Sequence, residues 1–348
     1  MDAGTGILPS VRNATGGVFH AERAWAVTPS VKIGGVEMVS GDSITYYTNG
    51  ATSASLSQTA GYNAKYEPGA GGQAGTLTLN GLNLTVKGYT DGISANGDLV
   101  IELEESSKIE TQGTNIAIYA RSGNLTISGT GSLEAKNENT ESENSLIYAQ
   151  GNIVINGGAQ VIATTKSRAQ AINANAGNME IAGENTSVKA ISHGSAANSD
   201  AIRANAVRDS VGEGTVTVTG GAVLEAETTS LNAKAINGKV IATGSKIKAG
   251  DSKAAATAWT DGSAPALNTY KYVRIGEEEP NYLTFTAVDG PATIKFSWKT
   301  GSDVQISRDG GQTWTEYDAK GIISLNKNET VKFKGTYITT GIDSNGVR

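Results

Sequence analysis

The sequence predicts an all-β chain: a parallel β-helix of about six to seven coils, three short strands to the coil, followed by a small β-sandwich-type domain. Three observations predict it. A glycine-led aliphatic element recurs through the middle of the chain. Proline is absent from residues 69–264, as expected where nearly every backbone N–H donates to a neighbouring coil. Phe and Trp are absent from residues 75–258, which suits a core too narrow for them, and they gather again after residue 282.

In chain order, residues 1–30 read as a leader or disordered segment. Ala24-Trp25-Ala26 resembles the A-x-A end of a signal peptide, but no apolar run precedes it. Residues 31–74 lack the repeat and carry Tyr46, Tyr47, Tyr62 and Tyr66, enough apolar surface for an N-terminal cap. A solenoid needs such caps, because an uncovered terminal coil pairs edge to edge with other chains.

Residues 75–276 carry the repeat. Its first strand appears as Gly75-Thr-Leu-Thr-Leu79, Gly97-Asp-Leu-Val-Ile101, Gly123-Asn-Leu-Thr-Ile127, Gly151-Asn-Ile-Val-Ile155, Gly177-Asn-Met-Glu-Ile181 and Gly214-Thr-Val-Thr-Val218, decaying at Gly238-Lys-Val-Ile-Ala242. The glycines are separated by 22, 26, 28, 26, 37 and 24 residues, a period of roughly 27 with one insertion around residues 192–213. A second echo runs Ser132-Leu-Glu-Ala135, Gln160-Val-Ile-Ala163, Ser187-Val-Lys-Ala190, Val223-Leu-Glu-Ala226 and Lys246-Ile-Lys-Ala249. A third runs Gly92-Ile-Ser-Ala95, Ala117-Ile-Tyr-Ala120, Leu146-Ile-Tyr-Ala149, Ala171-Ile-Asn-Ala174, Ala201-Ile-Arg-Ala204 and Ala235-Ile-Asn-Gly238. All three alternate with period two, so inward Ile and Ala columns form the core and the intervening side chains face out. The repeat glycines are expected at corners with positive φ.

Glu277-Glu-Glu-Pro280 reads as a linker. Residues 281–348, with Phe285, Phe296, Trp298, Trp314 and Phe333 in alternating runs, read as the β-sandwich module, the chain stopping within or just after its last strand. Ser307-Arg-Asp-Gly-Gly-Gln-Thr-Trp314 matches the S-x-D-x-G-x-T-W Asp-box, a hairpin pinned here by Asp309 and packed under Trp314. One copy cannot build a propeller.

Composition excludes several functions. The chain has 348 residues and a net charge of −6, with its 28 Lys and Arg scattered, so no concentrated basic face exists for nucleic acid. No apolar stretch is long enough to span a bilayer. Zero cysteines rule out disulfides, thiol catalysis and thiolate-bound metal.

The third strand's outward column reads Ser94, Tyr119, Tyr148, Asn173, Arg203 and Asn237. Two positions on it reads Asn96, Arg121, Gln150, Asn175, Asn205 and Lys239. Together they are expected to form a flat, polar face with two adjacent tyrosines. Tyr rings stack on sugars while amides and Arg meet hydroxyls or carboxylates, so the candidate carbohydrate-binding residues are Tyr119, Tyr148, Asn173, Arg203, Arg121, Gln150 and Asn175. A solvated face whose Tyr and Asn form stabilising ladders is the structural alternative. A further outward column, Asp98, Asn124, Asn152 and Asn178, is expected to stack at a corner.

Catalysis finds little support. The Asp residues of the repeat fall in different registers, and only Asp200, Arg203, Arg208 and Asp209 lie close together, in and beside the insertion. His20 and His193 sit in expected loops without partners.

The G-x-L-x-I…L-x-A…A-I-x-A repeat, entered through Val31-Lys-Ile-Gly-Gly-Val-Glu-Met38, resembles the "carbohydrate-binding domain-containing" β-helix proteins of bacterial surfaces, common in gut and cellulolytic Firmicutes. The likeness covers roughly residues 30–275. The stretch from Tyr282-Leu-Thr-Phe through the Asp-box looks like a β module appended to gut-bacterial surface proteins. This resemblance implies a right-handed, pectate-lyase-like β-helix, as general chirality does. It also implies secretion and binding of plant or acidic polysaccharides. Some members are similar in holding Ca²⁺ between coils, but this sequence lacks their regular Asp-rich corners. No other cofactor is expected.

The expected function is an extracellular, non-catalytic carbohydrate-binding or adhesive protein at a bacterial surface. Its partner is a polysaccharide or surface glycan, with no nucleic acid, no membrane insertion and a monomeric chain. The alternatives are a structural surface stalk with no ligand of its own, and a polysaccharide lyase acting on acidic glycans through Arg203 or Arg208 with Asp200 and Asp209.

Overall fold

The computed structural model describes residues 11–12, 18–19, 30–39, 41–58, 61–69, 73–207, 214–242, 245–259, 266–276, 283–288, 290–298, 305–309, 313–317, 322–334 and 339–345. The chain divides into two compact units, Met1–Glu277 and Glu278–Arg348.

The first unit is a β-solenoid of about six turns with three parallel sheets, here called the first, second and third faces. On the first face Leu99 sits beside Leu125, then Ile153, Met179 and Val216, one coil at a time. On the second, Leu133, Val161, Val188 and Leu224 align. On the third, Ile118, Ile147, Ile172, Ile202 and Ile236 align. Every one of these side chains is buried in one continuous core. Interring each large aliphatic side chain is worth about 1.5–3 kcal/mol. A slip of one residue would turn an entire column outward, so the inward Ile and Ala columns fix the register.

The corners differ from expectation in one respect. The glycines that open each repeat do not adopt positive φ; the positive-φ glycines, among them Gly129, Gly157 and Gly183, lie at the next corner, between the first and second faces. The repeat glycine is required for another reason. A Cβ on Gly177 would lie 2.5 Å from the backbone N of Asn152 and the carbonyl carbon of Gly151 in the coil beneath. Close stacking of backbone on backbone selects glycine here.

At the N-terminal end, Val31–Ile33 pairs antiparallel with Ile93–Ala95 on the third face. Ala64–Glu67 pairs antiparallel with Thr76–Leu79 on the first, and Thr45–Tyr47 lies beyond it. Tyr47 and Tyr66 are buried in this cap, and Tyr46 meets Tyr62 edge-on at 5.5 Å. Of residues 1–30, Val11–Arg12 pairs with Val18–Phe19; apart from Ser30, the rest of the expected leader lies outside the described residues.

The C-terminal end corrects the reading of the second echo. Lys246-Ile-Lys-Ala249 does not stack in parallel on Val223–Thr228. Tyr272–Ile275 takes that place, antiparallel to both, and Ile247–Gly250 and Thr257–Trp259 follow outward. Parallel stacking therefore ends at the first-face strand Lys239–Ile241.

The second unit has a four-stranded antiparallel sheet (Leu283–Thr286, Thr330–Lys334, Gln305–Ser307, Thr315–Glu316) and a three-stranded one (Ile322–Leu325, Ala292–Trp298, Thr339–Asn345). Phe285, Val331 and Phe333 of the first sheet share a core with Ile294, Ile323 and Leu325 of the second. The expected linker Glu277–Pro280 lies outside the described residues.

Candidate functional site

The third-face strands place Tyr119, Tyr148, Asn173, Arg203 and Asn237 in one outward column, each paired with the next across a coil boundary. At the start of the column the rings of Tyr119 and Tyr148 meet edge to face, with centroids 5.3 Å apart and an interplanar angle of 86°. They do not form a coplanar platform. The Arg121 guanidinium lies 4.7 Å over the Tyr119 ring and donates to Asp91 at 3.0 Å, so one ring face is already covered. The Tyr148 hydroxyl donates to Gln150 Oε1 at 2.8 Å.

Further along, the face is closed in rather than flat. Asn173 is only 6% exposed, and Asn205 and Asn237 are also buried, whereas Arg121 is exposed and Tyr119, Tyr148, Gln150 and Asn175 are half-buried. The cover comes from the residue preceding each third echo, two places before the strand. Asn173 Nδ2 donates to Ser145 Oγ at 3.3 Å and Gln170 Oε1 at 3.2 Å, and the Ser145 hydroxyl donates to Gln170 at 2.8 Å. The face is thus partly exposed at the tyrosines and covered towards Asn237.

Asp200 occupies the equivalent position one coil on. Its carboxylate accepts from Arg203 Nε and Nη2, from Asn237 Nδ2 at 2.9 Å and from the Lys234 backbone N–H at 2.9 Å. Sequence reasoning grouped Asp200 with Arg203 but missed Ser145 and Gln170. The available signal was the residue preceding each third echo, which is polar at Ser145, Gln170, Asp200 and Lys234. Arg208, Asp209 and His20 lie outside the described residues, and His193 is exposed.

The corner stack forms as expected. Asp98 Oδ1 accepts the Asn124 N–H at 2.7 Å, Asn124 Oδ1 that of Asn152, Asn152 Oδ1 that of Asn178, and Asn178 Oδ1 that of Thr215, the last three all at 2.8 Å. This use of the oxygens does not fit the calcium that the resemblance implies: each is aimed at a backbone donor. No group of three His, Asp or Glu close enough to hold a metal exists among the described residues.

The other faces are different chemically. The second carries ion pairs in register, Lys136–Glu138–Lys166 and Glu225 with Lys253 and Arg274. Hydrogen bonds from Lys136 and Lys166 hold the Glu138 carboxyl down at about 2. In the second unit, Asp309 pins the Asp-box: it accepts from Ser307 Oγ at 2.7 Å and from the Thr313 backbone N–H at 2.9 Å, between paired strands Gln305–Ser307 and Thr315–Glu316. Trp314 beside it is half-buried.

No family model, no curated protein and no solved structure matches this chain. No described helix is long and apolar enough to cross a membrane.

Proposed function

We propose that the solenoid is a non-catalytic binding module for an extended polysaccharide, acting outside the cell as part of a bacterial surface or adhesive protein. The ligand lies along the third face over Tyr119 and Tyr148, with Arg121, Gln150 and Asn175 beside it, and Asn173 and Arg203 bound the site where the face is covered. The observation supporting this most directly is the Tyr119–Tyr148 pair, two half-buried aromatic side chains one coil apart at the more exposed end of an amide- and Arg-bearing face. Repeating polar groups at about 4.8 Å intervals suit a repeating polymer. Aromatic carbon and neutral amides suit sugar rings and hydroxyls.

Retention of the full chain on a panel of immobilised polysaccharides tests the reading. Tyr148→Ala lowers retention; unchanged retention removes this face from consideration.

A second reading, a structural stalk without its own ligand, draws support from the mutual bonding of face side chains: Tyr148 with Gln150, Asn173 with Gln170, Arg203 with Asp200. A glycan array without a single hit favours it.

A further inference from the structure

We infer that the third face selects an uncharged, hydroxyl-rich glycan and discriminates against uronate-rich ones. The inference rests on the glycan-binding reading above and names the ligand class for that site.

Two arginines mark this face, and an arginine on a sugar-binding face ordinarily suggests a carboxylate ligand, since its fork matches carboxylate geometry. Here neither arginine has an idle charge. Arg203 gives Nε and Nη2 to Asp200 at 3.0 and 2.6 Å, and its side chain is 15% exposed while that of Asp200 is 1% exposed. Asp200 cannot swing away, because Asn237 Nδ2 and the Lys234 N–H hold the same carboxylate. A uronate approaching Arg203 would therefore meet a fixed negative charge behind it.

Arg121 is more open, yet it too is spent twice. Its guanidinium covers the Tyr119 ring at 4.7 Å and donates to Asp91 at 3.0 Å. Asp91 is itself anchored, accepting the Ile116 backbone N–H at 3.1 Å through its other oxygen. A uronate displacing Asp91 would leave two carboxylates side by side, a like-charge contact that disfavours both.

The two Arg–Asp pairs sum to zero charge. Beyond Ser94 the same sheet continues into Lys32 and Glu37, which pair with each other at 3.4 Å and likewise sum to zero. The uncharged polar groups between are the side-chain amides of Gln150 and Asn175, with Ser94 and Asn96 at the start of the columns. These are neutral dipoles that can both donate and accept, the complement of a hydroxyl. Lys239, at the far end beyond the buried Asn237, is outside the open part.

The test uses matched pairs of probes: a neutral glucan, galactan and mannan, each alongside the same polymer oxidised at C6 to its uronate. Binding of the full chain is measured by affinity electrophoresis or calorimetry at two salt concentrations. The expected result is that at least one neutral polymer binds at least about tenfold more tightly than its oxidised counterpart, with little salt dependence. Asp91→Asn keeps an acceptor for Ile116 but frees Arg121, and it raises binding of the oxidised polymer about tenfold with restored salt sensitivity. Equal or tighter binding of the oxidised polymer by the native chain, abolished by Tyr148→Ala, overturns the selectivity while leaving the glycan site standing. An oxidised-polymer affinity that Asp91→Asn does not change overturns the role given to the ion pair. Absence of binding to every probe removes the glycan reading, and the selectivity with it.

Discussion

Asp200 receives Arg203 through a single carboxylate oxygen, with Nη2 at 2.6 Å and Nε at 3.0 Å, at a position almost fully withdrawn from solvent. The pair lies on the covered half of the third face and ties the insertion-bearing coil to the next through Lys234 and Asn237.

Asp200→Ala strips a buried cation of its partner and leaves two further donors unmet. Removing one member of a buried pair costs about 3–5 kcal/mol, and the partial exposure of Arg203 puts the expected loss near the lower figure. Urea denaturation followed by circular dichroism measures it; a loss below about 1 kcal/mol would show that the pair is not structural.

The corner stack predicts a graded response at Asn152, whose oxygen serves the Asn178 N–H. Asn152→Ala hands that exposed donor to water and costs about 0.5–1.5 kcal/mol, the net worth of one hydrogen bond. Asn152→Asp preserves the acceptor, as Asp98 already does one end of the stack, and costs less. The reverse order in thermal melts contradicts the ladder.

Two glycines at the same repeat position separate crowding from conformation. Gly177→Ala forces a methyl into the backbone of Gly151 and Asn152 and destabilises by about 1–3 kcal/mol. Gly97→Ala meets nothing within 4 Å and changes stability little. Equal effects would mean that the repeat glycine is needed for something other than room.

Glu225 predicts an acid limb. Burial pushes its carboxyl up, but the Lys253 hydrogen bond with the charges of Lys189, Lys253 and Arg274 outweighs that and holds it below its ordinary value of 4.5. A depressed carboxylate binds fewer protons in the folded state, so its contribution is present above pH 4.5 and is lost as pH falls through the folded value. Glu138, drawn down to about 2 but largely exposed, adds a smaller loss between pH 4.5 and 2. Glu225→Gln flattens the fall in urea midpoint below pH 4.5; an unchanged slope removes Glu225 as its source.

Much of this architecture was legible in the residues. Ile118, Ile147, Ile172 and Ile202 are spaced so that only one stacking buries them all, and the Asp98–Asn178 column follows from the same register. The Asp-box was legible because the bonds of Asp309 to Ser307 and Thr313 are local. The end of the parallel stack was not. Lys246-Ile-Lys-Ala249 has the alternation of a coil strand, and alternation carries no record of strand direction or of Tyr272–Ile275 arriving first. Nor was the covering of Asn173 legible: Ser145 and Gln170 hold one fixed place before the third echo, but polarity at that place does not say that the side chains turn over the face.

The antiparallel strands at the two ends bear on how this molecule acquires length. They occupy the first and third faces at one end and the second face at the other, so a coil appended outside them meets backbone running against it. A duplication of residues 151–176 meets no such conflict: it repeats one whole coil, and every ladder hands its bonds on unchanged. A longer solenoid is therefore reached by adding whole coils inside it, each extending the stack by about 4.8 Å, with the end strands left as they are.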